Sequence, residues 1–242
     1  MTRQEFLRLI ASGSLGAFGA PSDTYAATAA QTPTKTFPVG VTKAIVDFIT
    51  RTSLTDVPDR AIVEAKRCLI DGFGVILAGA STEGSAIVRE YIKSVGSTAR
   101  DASVLGHDGL SATAAHAALA NGASGHAMDY DDTQLSSSPD RVFGLLTHPT
   151  VPVLAAALAV GERLGVSGRV FLEAFLVGFE VECKIAEAVR PDHYLHGFHS
   201  TGTIGTFGAA ASAAKLLKLA PPKIAHALGI AASMSSGIRV NF

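Results

Sequence analysis

The sequence predicts an all-α fold, a multi-helix domain in which several helices are buried on more than one side. Three observations lead to this prediction. Apolar residues recur at the three- and four-residue spacing of helices over most of the chain beyond Phe37. Hydrophobic residues make up 48% of the chain and charged residues only 17%, with a mean hydropathy of +0.32, which is typical of helices that are apolar nearly all round. The only convincing strand pattern, Ala102 to Leu105, is too short to found a sheet by itself.

Boundary signals divide the chain into eight predicted helices with short connections. Thr42 is placed to cap the first helix, and Pro58 fits the first turn of the second. Gly165 fits the left-handed position that follows a helix, and Pro222 fits the start of the last one. The predicted helices span residues 43–51, 58–79, 85–95, 111–128, 151–164, 169–189, 201–217 and 222–235.

Two regions of different character make up the chain. Residues 1–36 are predicted to be a leader and linker, and residues 37–242 a helical domain. The run Arg3 to Leu7 resembles a twin-arginine export signal, but Gln4 stands where the second arginine is expected. A leader that functions despite this change would direct the protein to the periplasm. An uncleaved leader would leave it in the cytoplasm, and the sequence does not decide between the two.

Charge and composition exclude several classes of protein. A net charge of −1 and a pI near 6.7 leave no basic footprint for nucleic acid. No stretch has the roughly 18 uninterrupted apolar residues of a membrane span. Cys68 and Cys183 lie in apolar helical runs without metal-ligand spacing, which favours two buried free thiols. Gly72 and Gly74 lack the third glycine and the preceding strand of a dinucleotide-binding loop.

The most informative segment runs from Gly125 to Thr133 and contains three carboxylates within four residues, followed at a short distance by His148. Carboxylates this close raise one another's pKa, and burial raises it further. Such a cluster therefore marks either a solvated loop or a chemical site. Its position between two apolar predicted helices favours a loop that faces a cavity. Asp131 and Asp132 are predicted to cap or brace that loop.

Metal binding by this segment is not the favoured interpretation. Counting from Asp129 as the first residue of a calcium loop puts Gln134 at the sixth position, where an EF-hand needs glycine. The twelfth is Asp140, where the loop needs a bidentate glutamate. An aspartate-rich motif on helices could hold Mg²⁺ against a diphosphate, but no second acidic motif of comparable density follows. A Mg²⁺-dependent diphosphate enzyme is kept as a less favoured alternative, and neither a metal nor a cofactor is predicted.

Four histidines lie near features that favour function: His126, His148, His196 and His199. The last of these precedes a predicted helix whose first residues, Ser200 and Thr201, offer backbone N–H groups to an anion. In the same helix small residues recur at every third position, at Gly202, Gly205 and Gly208. Helix packing is the simpler explanation of these glycines, since small residues let a second backbone approach closely.

Three motifs together resemble the MmgE/PrpD family, which includes 2-methylcitrate dehydratase, cis-aconitate decarboxylase and iminodisuccinate epimerase. They are the segment Gly125 to Thr133, the run Thr147 to Pro149 and the run His196 to Gly205. The resemblance extends from about Phe37 to Phe242. It implies a large helical domain that carries a smaller α+β lid, usually in a homodimer and without an obligatory cofactor.

By position, Asp129, Thr133, His148 and His199 match the active-site residues of that family. After the segment that ends at Phe242, relatives continue into a Thr-Lys-Pro run whose lysine lines the active site, and then into the lid. Neither is present in this sequence. The chain is therefore expected to be a truncated family member that corresponds to about the first half and lacks the α+β lid.

The resemblance implies a lyase or isomerase that acts on a small di- or tricarboxylate such as 2-methylcitrate or cis-aconitate. A proton next to a carboxylate is weakly acidic, so the reaction needs a positioned base and support for negative charge. Imidazoles suit both roles near neutral pH. His148 and His199 are predicted to share the proton transfers, and Asp129 to orient an imidazole or act as the base. Substrate contacts are predicted for Thr133, His126, Ser200 and Thr201.

A different function is possible for the same sequence. Without the lysine and the lid, carboxylate binding and the exclusion of water are expected to suffer, at a cost of orders of magnitude in rate. The alternative prediction is therefore a catalytically inactive folded remnant or a dimerisation module.

Overall fold

A computed structural model of the protein describes residues 40–96, 99–135 and 147–241. Within these ranges the all-α prediction is confirmed: eight α-helices and two short 3₁₀ turns are joined by brief connections, with one two-stranded ribbon. The predicted leader, residues 1–36, lies outside the described residues. The helices are α1 (Val41–Arg51), α2 (Asp59–Gly79), α3 (Glu83–Ser94), α4 (Ala114–His126), α5 (Thr150–Leu164), α6 (Gly168–Leu195), α7 (Ser200–Leu216) and α8 (Pro221–Met234).

The predicted boundary of the fourth helix was wrong at its start. Ser111 and Ala112 form strand β2 (Ser111–Ala112), which pairs antiparallel with β1 (Ala102–Ser103), and α4 begins only at Ala114. The side chain of Thr113 accepts a hydrogen bond from the backbone N–H of His116 at 3.2 Å and so caps α4. The strand predicted from Ala102 to Leu105 is therefore real but shorter, and its partner lies in residues that were assigned to a helix.

Two other helix ends differ from their predictions for physical reasons. The helix α1 begins at Val41 rather than after a Thr42 cap, because the Gly40 carbonyl already accepts the Ala44 N–H at 2.9 Å. The helix α6 continues through Pro191 to Leu195, whereas the prediction ended it at residue 189. A proline removes one backbone donor, but a helix can continue past it when the following turn forms its own hydrogen bonds. Here the His196 N–H donates to the Asp192 carbonyl at 2.9 Å. Gly165 occupies the left-handed position after α5 at φ 61°, as predicted.

The long helix α6 separates two parts of the hydrophobic core. One face packs the fully buried Phe175 with Leu154 of α5 and Ile76 of α2. The other face packs Val177 and Val181 against α1, α7 and α8.

Both cysteines are free thiols, with Cys183 buried and Cys68 half-buried, and burial raises the pKa of each. No helix in the described part of the chain has the length and apolarity that a membrane crossing requires.

Small residues allow α6 and α7 to lie backbone to backbone. A Cβ added at Gly178 of α6 would stand 2.6 Å from the carbonyl oxygen of Gly208 in α7. A Cβ at Gly205 would stand 2.7 Å from the ring of Pro152 in α5. The glycines that recur along α7 thus allow the close approach of both neighbouring helices, which supports the packing explanation of that pattern.

The two glycines near the middle of α2 provide a matched test of this packing. A Cβ at Gly72 would stand 2.7 Å from side-chain carbons of Leu154 and Thr150, whereas a Cβ at Gly74 would meet nothing within 4 Å. We expect Gly72→Ala to destabilise the fold by about 1–3 kcal/mol through overpacking. Gly74→Ala should stabilise it by about 0.5–1 kcal/mol, since alanine is the better helix former. Denaturant unfolding of the two variants checks both signs, and equal effects would contradict the helix orientation.

Candidate active site

Three chain segments meet at the C-terminal end of α4. His126 is the last residue of α4, and a turn carrying Asp129 and Asp131 follows it. His148 lies two residues before α5, and His199 is the residue that precedes α7. The ring of His126 lies 5.0 Å from the ring of His148 and 5.3 Å from that of His199, centroid to centroid. Side chains that are distant in the sequence are therefore grouped around one imidazole.

The imidazole of His126 is bound to a buried carboxylate. Its Nδ1–H donates to both oxygens of Asp131, at 2.9 and 3.1 Å, and the Asp131 side chain is completely buried. This hydrogen bond raises the pKa of His126, because it favours the charged form more strongly than partial burial opposes it. The other ring nitrogen, Nε2, is buried and has no hydrogen-bond partner among the described residues. His126 thus holds a proton more readily than an ordinary histidine does.

His148 is held on three sides. Its backbone N–H donates to the Thr201 hydroxyl at 3.1 Å, and its Nδ1 donates to the backbone carbonyl of Asp131 at 3.2 Å. A carbonyl only accepts, so Nδ1 carries the hydrogen and Nε2 carries the lone pair in the neutral ring. The Asp129 carboxylate lies 3.4 Å from that Nε2. A proton taken up at Nε2 would therefore face a carboxylate.

His199 has the opposite electrostatic character to His126. Its ring is stacked on the His126 ring with an angle of 17° between the two planes. Burial, together with the positive charge that His126 and His148 can carry, lowers the pKa of His199. Two stacked imidazoles therefore have pKa values shifted in opposite directions, a pattern that separates an acid from a base.

A cavity of about 630 Å³ lies beside these rings, between α4, α5 and the first turns of α7. His126, His199 and Thr201 line it, together with small residues of the three helices such as Gly202 and Ala155. Its size is that of a small-molecule site. A larger cavity of about 700 Å³, between α1, α2 and α6, contains none of the predicted site residues. Position beside the imidazoles, rather than size, identifies the relevant cavity.

The other predicted site residues lie at the edges of this group. Asp129 is 63% exposed and takes a left-handed backbone conformation with φ 53°, which is uncommon for a residue other than glycine. Thr133 is exposed, and none of the described contacts joins it to the imidazoles. Ser200 and Thr201 are buried. Because the Thr201 hydroxyl accepts the His148 N–H, it fixes His148. The substrate contacts predicted for these residues stay predictions.

The carboxylate of Asp132 braces the loop, as its sequence position suggested. It accepts hydrogen bonds from the backbone N–H of Thr150 at 3.1 Å and from its hydroxyl at 2.8 Å. These bonds satisfy donors at the start of α5. The loop is closed a second time by the bond from the Gln134 N–H to the Thr147 carbonyl at 2.9 Å. The residues between Leu135 and Thr147 lie outside the described ranges.

Sequence reasoning missed Glu182 of α6, which is 0% exposed. Burial raises its pKa well above the usual value, with smaller contributions from Asp132 and Asp131. The Thr147 hydroxyl donates to its Oε1 at 2.9 Å. A signal was present, since Glu182 stands four residues after Gly178 and four before Ala186, on the buried face of the helix. A lone carboxylate at a core position is rare without a reason.

One group of residues in the described part of the chain could hold a metal ion: His126, Asp129, Asp131 and His148, whose ligand atoms lie within 4.8 Å of one another. Two imidazoles and two carboxylates suit a transition metal better than Mg²⁺, which prefers oxygen ligands. Two of the four groups are already joined by the hydrogen bond from His126 to the Asp131 carboxylate. This donor set does not favour the Mg²⁺-dependent diphosphate enzyme.

Comparison with known proteins gives consistent matches. A sequence model of the MmgE/PrpD N-terminal domain matches residues 43–242. Human cis-aconitate decarboxylase is 31% identical over 206 residues, which are 83% of this chain and 41% of that protein. A cis-aconitate decarboxylase-like protein of Aspergillus oryzae is 32% identical, over 86% of this chain and 43% of its own length. Cis-aconitate decarboxylase of Aspergillus terreus is 28% identical, over 82% and 40%. The chain spans about two fifths of the length of these relatives.

Proposed function

Since the chain belongs to the MmgE/PrpD family, we propose that it provides the helical part of the active site of a cofactor-independent lyase. Its substrate would be a small di- or tricarboxylate, with cis-aconitate as the first candidate because several relatives are named for its decarboxylation. The observation that carries the proposal is the group formed by His126, His148 and His199 beside the cavity. A carboxylate substrate needs positive charge and a proton-transfer group in the same space, and these rings offer both.

Positive charge for the substrate carboxylates would come from two sources. His126 holds its proton because Asp131 raises its pKa. The first turn of α7 adds backbone N–H groups and the positive end of the helix dipole at Thr201 and Gly202, which line the cavity. Small residues around the cavity leave the substrate room to reach both. This arrangement favours dianions over neutral ligands.

Proton transfer would fall to the two other imidazoles. In a decarboxylation the bond to the leaving carboxylate breaks, its electron pair stays on the substrate, and a proton must be delivered to carbon. His148, whose protonated Nε2 would face Asp129 at 3.4 Å, is suited to deliver it. His199, whose pKa is lowered, stays neutral and can accept a proton in a dehydration or epimerisation. The same site therefore supports more than one reaction of this class.

The proposal is tested by assaying the purified chain with cis-aconitate and 2-methylcitrate, with CO₂ release and product formation as readouts. Binding is measured separately by calorimetry, since the chain spans only about two fifths of its relatives' length. We expect cis-aconitate to bind and a neutral ester of it not to. A well-folded chain that neither binds nor converts either acid would overturn the proposal and favour the inactive remnant.

The opposite pKa shifts predict a pH window for binding. His126 stays charged to a pH above its usual 6.5, and His199 stays neutral to a pH below 6.5. The cavity thus holds one cation and one neutral base in a window that straddles this value. Asp131→Asn removes the main cause of the raised pKa of His126, so the alkaline limit of binding should move to lower pH. Near pH 7 we expect affinity to fall about tenfold, the loss of one charge-assisted interaction.

Calorimetry across pH and ring-proton NMR of the histidines measure both effects. Asp101→Asn is the matched control, because the Asp101 carboxylate forms an ion pair with Arg163, at 4.0 Å, away from the imidazoles. An unchanged alkaline limit in Asp131→Asn would show that His126 does not supply the charge.

A further inference from the structure

Glu182 is a fully buried carboxylic acid that none of the proposed steps uses. It lies on the face of α6 that is turned toward α5 and α7, with no exposed surface. Its Oε1 accepts the hydroxyl hydrogen of Thr147 at 2.9 Å, and Thr147 is itself only 1% exposed. Thr147 is the residue directly before His148. A buried acid is thus hydrogen-bonded to the chain immediately before an imidazole of the site.

The glycines of α7 provide the space for this acid. A Cβ at Gly208 would stand 2.6 Å from Oε2 and 2.8 Å from the Cβ of Glu182. A Cβ at Gly205 would stand 3.6 Å from Oε1. The recurring small residues therefore do more than bring two helices together, because they leave room for one particular side chain between them. That side chain is consequently fixed by packing as well as by its hydrogen bond.

The environment of Glu182 favours its neutral form. Burial is the main reason that its pKa lies well above the usual value, and the negative charges of Asp132 and Asp131 act in the same direction. Its Oε2 has no hydrogen-bond partner in the described part of the chain, so ionisation would leave an unpaired buried charge. A neutral acid fixes its neighbours without adding a negative charge beside His126 and His148.

The same stretch of α6 binds both ends of the loop that follows the aspartates, at Gln134 and Thr147. Glu182 binds Thr147, which follows the loop, and the backbone carbonyl of Cys183 accepts the Gln134 side-chain amide at 3.2 Å. Gln134 and Thr147 are also bonded to each other through their backbones. The position of His148 is therefore fixed by α6 through Thr147, its neighbour in the chain, and by α7 through the hydrogen bond with Thr201.

We propose that Glu182 is a positioning residue, which through its hydrogen bond with Thr147 fixes the place of the His148 ring against Asp129 and Asp131. Its consequence for turnover rests on the proposed lyase function, whereas its consequence for the ring does not. Misplacement of a catalytic group by about 1 Å can lower a rate about a hundredfold. Glu182 thus acts on the reaction only through His148.

The test compares two substitutions of similar size. Glu182→Gln keeps a neutral acceptor for Thr147, so we expect kcat to stay within about threefold of the unsubstituted chain. Glu182→Met removes the acceptor, so kcat should fall about 10- to 100-fold, with KM changed far less. In ring-proton NMR the His148 resonances and their titration midpoint should shift in Glu182→Met and stay in place in Glu182→Gln.

Thr147→Val removes the other partner and provides an independent measurement if Glu182→Met folds poorly. We expect Thr147→Val to reproduce the His148 shift and the loss in kcat. Combining the two substitutions should add little, because both break the same bond. Glu173→Met is the matched control on the same helix, since Glu173 binds the Leu54 N–H at 2.8 Å away from the site. It should lower stability and leave the His148 resonances unmoved.

The readouts separate the two proposals. If the unsubstituted chain shows no turnover but His148 shifts in Glu182→Met and Thr147→Val, the positioning role stands and the lyase function fails. If turnover occurs and His148 stays in place in both variants, the lyase function stands and the positioning role is overturned. Additive losses in the double variant would also overturn it, since they would mean that Glu182 acts by a route other than Thr147.

Discussion

His148→Gln is expected to lower the turnover of cis-aconitate by about 10²- to 10⁴-fold, the usual contribution of a positioned proton-transfer group. Glutamine can still donate to the Asp131 carbonyl that now accepts from Nδ1 at 3.2 Å, so the loop should keep its shape. It cannot take up and release a proton near neutral pH. The substrate carboxylates are assigned to His126 and the first turn of α7, which line the cavity, so substrate affinity should change by less than about threefold. Steady-state kinetics with calorimetry measures both quantities.

The same substitution at a half-buried imidazole away from the site is the control. His116 lies on α4, with its ring 6.2 Å from the ring of Tyr91 and a buried Nδ1. His116→Gln should alter stability but leave turnover within about twofold. If His148→Gln retained turnover while His116→Gln lost it, the proton-transfer role assigned to His148 would be wrong. Circular dichroism of both variants shows that the fold is kept.

Much of the fold follows from local pattern in the sequence. Helices α2, α5 and α8 carry their own boundary signals, in Pro58, Gly165 and Pro222, and each lies where it was predicted to within one residue. The strand Ser111–Ala112 carried no such signal, because two residues have no period and become a strand only by pairing with Ala102–Ser103. The continuation of α6 beyond Pro191 could not be predicted either, since it depends on a hydrogen bond between residues that follow the proline.

The candidate site divides along a similar line. Asp129, His148 and His199 were named from their motifs, and the structure places all three against His126 or one another. The pairing of His126 with Asp131 was not predicted, because it depends on a turn that the motif does not specify. Glu182 was missed altogether. The contacts of Glu182 depend on which helices enclose it, and the sequence does not show those helices. The sequence shows only an acidic residue at a position where the helical pattern predicts burial.

Electrostatics and packing are coupled in this site. The carboxylates of Asp131 and Asp132 would repel each other in a loop with no other contacts. Each instead accepts a hydrogen bond from a neighbouring helix: His126 donates to Asp131, and Thr150 donates to Asp132. A small change in helix position would therefore alter pKa values as well as distances. The places where helices touch most closely should accordingly control both stability and activity.

Gly79→Ala is expected to have the largest effect on stability, a loss of about 3 kcal/mol or more. A Cβ there would stand 1.9 Å from the backbone carbonyl oxygen of Ser124, and backbone cannot rotate away as a side chain can. The end of α4 must then move, and with it His126, two residues further on. For a chain of this length we expect a fall in Tm of roughly 6–12 °C. Calorimetry measures it, with NMR of the His126 ring as a second readout.

Gly229→Ala on α8 is the matched control, since a Cβ there meets nothing within 4 Å. It should raise stability by about 0.5–1 kcal/mol through better helix propensity alone. The difference between the two glycines follows from the close contact between α2 and α4. The Ser85 hydroxyl links the same two helices, since it donates to the Gly79 carbonyl at 2.8 Å and accepts from the Ser124 hydroxyl at 3.1 Å. If Gly79→Ala were as stable as Gly229→Ala, α4 could shift without cost, and the imidazole of His126 could not owe its place to that helix.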